Sequence, residues 1–172
     1  MKTMKEFQVL RSLGLASWPV LRYGLEENWV SFEDVSNYAA DVLAEERDDA
    51  DDRAVRLAVY DFEGKEEALD LCGQLGKMNN EDTGPEKILK TWILVRLTAI
   101  EEKWEDSEEK IDKIGEAYAS LEYPEEMRFC SRYDEFDYST GKTPPVHEEC
   151  PLDEARRLIN ELSKELSAGR HQ

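Results

Sequence analysis

The sequence predicts an all-α fold, a compact multi-helix domain built from antiparallel helical hairpins. Three observations predict it. Apolar residues recur at three- and four-residue steps along most of the chain. Prolines and small polar residues stand where such runs begin, as in Ser17-Trp18-Pro19 and Gly84-Pro85. The two short stretches that could pass for strands, Val55–Tyr60 and Thr91–Val95, sit inside longer helical spacing. One domain is expected over residues 1–172, with an irregular aromatic-acidic loop at 131–150 and a last helix at 151–168.

Ser17 caps the first clear helix, and Pro19 is tolerated in its first turn because the missing N–H would be unpaired there. Trp18, Leu21 and Leu25 then share a face. After a short link at Asn28–Val30, Ser31 and Asp34 form a capping box, with Asp in place of the commoner Glu. Val35, Tyr38, Ala39 and Val42 supply the inward stripe of the second helix, and the short link predicts a helical hairpin. The segment Glu45–Asp52 holds six acids and one arginine and reads as a helix end plus an exposed turn. A helix through Arg53–Tyr60 follows, with Val55, Ala58, Val59 and Phe62 on one face. Gly64 punctuates the chain. Lys65 to about Met78 forms the next helix, presenting Ala68, Leu69, Cys72 and Leu75.

Asn79–Gly84 is a polar turn. Pro85 starts the longest helix, reaching about Trp104 and apolar around much of its girth, as a central helix is. Asp106 or Ser107 begins another, with Ile111, Ile114, Tyr118 and Leu121 inward. Pro124 opens a short helix. The aromatics of the loop that follows suggest packing onto the body. The last helix turns Leu152, Ala155, Leu158, Ile159, Leu162 and Leu166 inward, and Gly169 can end it.

Charge narrows the function. Forty acids against twenty-two bases give a formal net charge of −18. That density repels nucleic acid and anionic membranes and favours a basic partner. Acidic excess also serves solubility alone. No apolar run approaches the ~20 residues needed to span a bilayer, and none at the N-terminus resembles a signal peptide. A cytoplasmic protein is expected. Three cysteines, an odd count without a secretion signal, argue against a disulfide scaffold. Cys72, among apolar neighbours, reads as a buried small hydrophobe.

Reaction chemistry is sparse. Cys130, His147 and Cys150 are a conceivable zinc set, but a zinc finger has close pairs at both ends and this set has only one. The other histidine, His171, stands at the chain's end, so His147 is the one credible histidine for general acid–base work. No nucleophile elbow and no phosphate-cradling glycine loop appears. Gly73 and Gly76, three apart on a helix, are a packing signal. Neither a cofactor, a metal nor a catalytic residue is expected.

Two stretches offer contact surfaces. One is the acidic cluster Glu45, Glu46, Asp48, Asp49, Asp51 and Asp52. The other is the loop in which Tyr133, Phe136 and Tyr138 alternate with Asp134, Glu135 and Asp137. Residue types do not choose between them.

The pattern Trp18-x-x-Leu21-x-x-Gly24-Leu25-x-x-x-Trp29-Val30-Ser31-x-x-Asp34-Val35-x-x-Tyr38-Ala39 resembles the bacterial domain-of-unknown-function family 2247. Ala117-Tyr118, Tyr123-Pro124-Glu125-Glu126-Met127 and Arg132-Tyr133 are similar to that family's C-terminal part. The likeness spans about Trp18 to Phe136. It implies a small bacterial cytoplasmic protein with no catalytic residues to carry over, and it is loosely associated with immunity partners of secreted toxins. Many such toxins are basic nucleases, which an acidic helical protein could cover. The expected function is therefore binding and neutralising a basic cognate toxin. A non-catalytic structural or regulatory interaction protein stays open, as does a small enzyme or zinc protein with its site near His147.

Overall fold

A computed structural model describes residues 5–45, 51–81, 83–130 and 150–168. Every regular element among them is helical. They are α1 (Glu6–Ser12), α2 (Trp18–Glu26), α3 (Phe32–Glu45), α4 (Asp52–Ala58), α5 (Lys65–Met78), α6 (Pro85–Lys103), α7 (Ser107–Ser120), a 3-10 helix (Glu125–Cys130) and α8 (Cys150–Ala168). None of the described helices is long and apolar enough to cross a membrane. The chain divides into two compact units, one from Glu6 to Ile88 and one from Leu89 onward, and the boundary falls inside α6.

In the first unit the expected caps are made. The Ser17 hydroxyl accepts from the Val20 N–H at 3.4 Å. Ser31 and Asp34 cap α3 reciprocally: the Asp34 N–H donates to Ser31 Oγ at 3.1 Å and the Ser31 N–H to Asp34 Oδ2 at 3.0 Å. Each satisfies a backbone donor that the first helical turn leaves without a partner. Trp18, Leu21 and Leu25 are buried as their spacing predicts. Burying a leucine is worth about 1.5–3 kcal/mol. Trp18 meets Tyr38 edge-on at 4.7 Å.

α2 finds its main partner in α5, and α3 in α4. The α2–α5 contact is close because two glycines allow it. A Cβ on Gly76 would sit 3.1 Å from Pro19 Cγ, and one on Gly73 3.4 Å from Arg22 Nε. Arg22 Nε donates to the Leu69 carbonyl at 3.2 Å. At the far end Lys65 Nζ donates to the Glu26 carbonyl at 3.1 Å, so the two helices run antiparallel. α3 and α4 are also antiparallel, tied by Ser36 Oγ donating to the Ala58 carbonyl at 2.7 Å.

One predicted face is corrected here. α4 buries Ala54 and Leu57, whereas Val55 and Val59 are exposed. The reason is length. α4 is seven residues long, so a single pair three apart suffices to seat it, and the valines lie on its opposite side.

In the second unit α6 and α7 run antiparallel, held by Arg96 donating to Ser120 Oγ at 3.2 Å and Lys110 to Glu101 at 3.2 Å. α8 also runs antiparallel to α6: Lys90 pairs with Glu165 at 2.8 Å and Arg156 with Glu101 at 3.3 Å. α6 is buried at every residue from Thr91 to Val95, as the girth of its apolar pattern predicts. Ile111, Ile114 and Tyr118 of α7 and its C-cap Leu121 are buried, as are Leu152, Ala155, Leu158, Leu162 and Leu166 of α8, whereas Ile159 is half-buried. Pro124 precedes the short helix expected there, which is a 3-10 helix, Glu125–Cys130. Trp104 lies between Lys103 and Lys113, each ammonium 5.2 Å from a ring centre.

Candidate functional site

The acidic cluster resolves into residues with different tasks. Glu45 ends α3 and is exposed. Asp51 is the N-cap of α4 and accepts from the Arg53 N–H at 2.9 Å. Its two oxygens also take Arg53 Nε and Nη2, both at 2.9 Å. That side-chain pairing, chiefly, holds the Asp51 carboxyl below the usual carboxylate range. Asp51 is thus engaged within its own chain, its side chain 18% exposed. Asp52 follows it in the first turn and is exposed. Glu46, Asp48 and Asp49 lie outside the described residues, as do Tyr133, Asp134, Glu135, Phe136, Asp137 and Tyr138, and with them His147.

The cations around α4 are committed. Arg53 serves Asp51. Arg56 pairs with Glu67, and its Nε donates to the Asp61 carbonyl at 3.1 Å. The Glu67 carboxyl is held low, first by the Glu63 N–H and then by Arg56. Lys65 donates to Asn28 Oδ1 at 2.8 Å. From Asp51 to Glu67 there are six acids and three bases. With all three bases used internally, Asp52, Glu63 and Glu66 face water, and Asp61 keeps only a 3.9 Å approach to Arg56. The face is anionic because acids outnumber bases six to three there, and the bases are held close by Asp51, Glu67 and the end of α2.

Elsewhere in the first unit a groove of about 390 Å³ runs along α2 and α5. Arg22 and Lys77 line it together with Glu26 and Asp70. Among the described residues neither a histidine nor a cysteine lines it, and its charges are of both signs.

Burial shifts four further titratable groups among the described residues. Burial pushes the Cys72 and Cys130 thiols up to about 12, which removes their nucleophilic thiolates at neutral pH. Tyr38 is raised as well, mainly by burial and then by nearby Glu81, and its hydroxyl donates to the Ala16 carbonyl at 3.4 Å. Burial likewise raises Glu81, whose carboxylate accepts the Trp18 N–H. Among the described residues no three His, Cys, Asp or Glu side chains come together as a metal site would require.

Sequence reasoning missed the outward turn of Val55 and Val59. Periodicity groups the valines on one face without telling that Ala54 and Leu57 hold the inner one.

Fold and face together define a class, an all-α protein with an anionic face on its first unit. Residues 10–168 match a bacterial family described as uncharacterized proteins conserved in bacteria, DUF2247, and the chain belongs to that family. No curated protein matches the chain, and neither does any solved structure.

Proposed function

We propose that this protein works by stoichiometric binding of a basic protein partner, and that the partner is a cognate nuclease-type toxin which it neutralises as an immunity protein. The observation that carries the reading is the commitment of Arg53, Arg56 and Lys65 to internal partners, which leaves the carboxylates around α4 uncompensated. Such a face attracts cationic surfaces, raises their association rate and rejects anionic competitors. A basic nuclease presents the complementary charge where it would otherwise hold phosphate. The closed thiols support binding over thiol chemistry.

The test is co-expression with the product of the adjacent gene. A 1:1 complex is expected, with affinity falling between about 50 and about 300 mM salt, together with rescue of cells from that product's toxicity. A complex that ignores salt, or no complex and no rescue, overturns the reading.

A further inference from the structure

Among the described residues five large apolar side chains stay exposed, and three of them fall within six positions: Val55, Val59 and Tyr60, at 36%, 65% and 49%. Val55 and Val59 are one helical turn apart, and Asp52 precedes Val55 by three, so one outer line of α4 runs Asp52, Val55, Val59. Tyr60 continues it at the helix end.

Tyr60 takes a backbone conformation that large side chains seldom adopt, as Tyr123 does after α7. The φ of Tyr60 is +60°, in the left-handed region. The chain turns there as it does after α2 and α5: the Tyr60 N–H donates to the Leu57 carbonyl at 3.4 Å and the Asp61 N–H to that of Arg56 at 2.8 Å. At the ends of α2 and α5 the left-handed residue is Asn28 and Asn80, a type that tolerates that backbone. A bulky aromatic there is strained. Its ring is nevertheless half exposed, stacked at 6.2 Å on Phe62, which in turn meets Phe32 at 5.2 Å.

We propose that Val55, Val59 and Tyr60 form the apolar anchor of the partner-binding face, and that the occupant is a cationic amphipathic helix of a partner protein. This rests on the binding function just proposed and names its surface. Charge chooses the occupant. Asp52 lies on the apolar line, and exposed Asp61 and Glu63 follow Tyr60 in sequence. The base beside them, Arg56, is held by Glu67 and the Asp61 carbonyl, so a segment with apolar residues on one face and Lys or Arg beside them satisfies both. A second copy of this chain would bring another net charge of −18 against the first. The pair of valines one turn apart suits the ridge of a facing helix.

The experiment titrates the full chain with a Leu–Lys peptide of about 14 residues whose leucines follow helical spacing, and with a scrambled peptide of the same composition. The patterned peptide should bind about tenfold more tightly than the scrambled one. Val55→Ser with Val59→Ser should abolish that difference. Tyr60→Asn should weaken the patterned peptide while leaving thermal stability unchanged or higher, which separates loss of contact from loss of fold. Equal binding of both peptides, or serine and asparagine variants that bind like wild type, overturns the anchor but not the acidic reading. A wild-type dimer that the serine variant dissociates also overturns it, since a second copy then covers the valines. Failure of both peptides to bind at low salt overturns the parent reading as well.

Discussion

The Glu81 carboxylate accepts the backbone N–H of Trp18 at 3.2 Å across 63 residues of sequence. It closes the start of α2 with a negative charge, where the helix dipole favours one. Burial, however, raises its pKa above that of a free carboxyl, outweighing the Trp18 N–H and Asn79, which lower it. A raised carboxyl contributes stability fully below its unfolded pKa and loses it as pH rises through the folded value. Glu81→Gln keeps an acceptor without the buried charge. Thermal melts near pH 7 should show the variant equal to or above wild type, with the gap closing toward about pH 4.

Gly73 and Gly76 should respond oppositely to alanine. The Cβ of Gly76→Ala meets the rigid Pro19 ring at 3.1 Å, and such overpacking costs about 1–3 kcal/mol. The Cβ of Gly73→Ala meets only the flexible Arg22 side chain at 3.4 Å, so the helix gains about 0.5–1 kcal/mol by losing a glycine. Denaturant midpoints of the two variants should fall on either side of wild type.

Asp51→Ala removes both the cap of α4 and the partner of Arg53, and should destabilise by about 0.5–2 kcal/mol. Asp51→Asn retains a capping oxygen and should cost less. Because Arg53 depresses the Asp51 pKa, the ionic contribution is present above the ordinary carboxylate range and lost as pH falls through the folded value. The stability difference between wild type and Asp51→Asn should therefore shrink on acidification, and a constant difference would contradict the pairing.

Cys72 and Cys130 should resist alkylation in the native protein at about pH 8, then react fully in denaturant. Peptide mapping after iodoacetamide treatment reads each thiol separately. Native labelling of either, with the helical signal intact, would show it more accessible than its burial implies.

The helices were legible where periodicity, caps and prolines agreed. Ser17, Ser31 and Pro85 mark their starts, and the stripe of α7 is buried as spaced. α1 was not legible: Phe7, Val9 and Leu10 are buried, but seven residues hold too few turns to show a period. The pairing of α2 with α5 was hidden because Gly76 and Pro19 are distant in sequence and signal only proximity to something. The acidic cluster was visible as composition, yet composition did not reveal that Asp51 faces Arg53. The anchor at Val59 and Tyr60 was obscured because valine spacing identifies a face without saying which way it points.

A visitor approaching this protein would feel fewer charges than its forty carboxylates. Asp51 and Glu67 are already neutralised at close range by Arg53 and Arg56, and Glu101 answers to both Lys110 and Arg156. The effective valence of each unit is set by the carboxylates left over. Ionic-strength titrations of any complex should count those leftovers, giving a slope shallower than a tally of Asp and Glu would suggest.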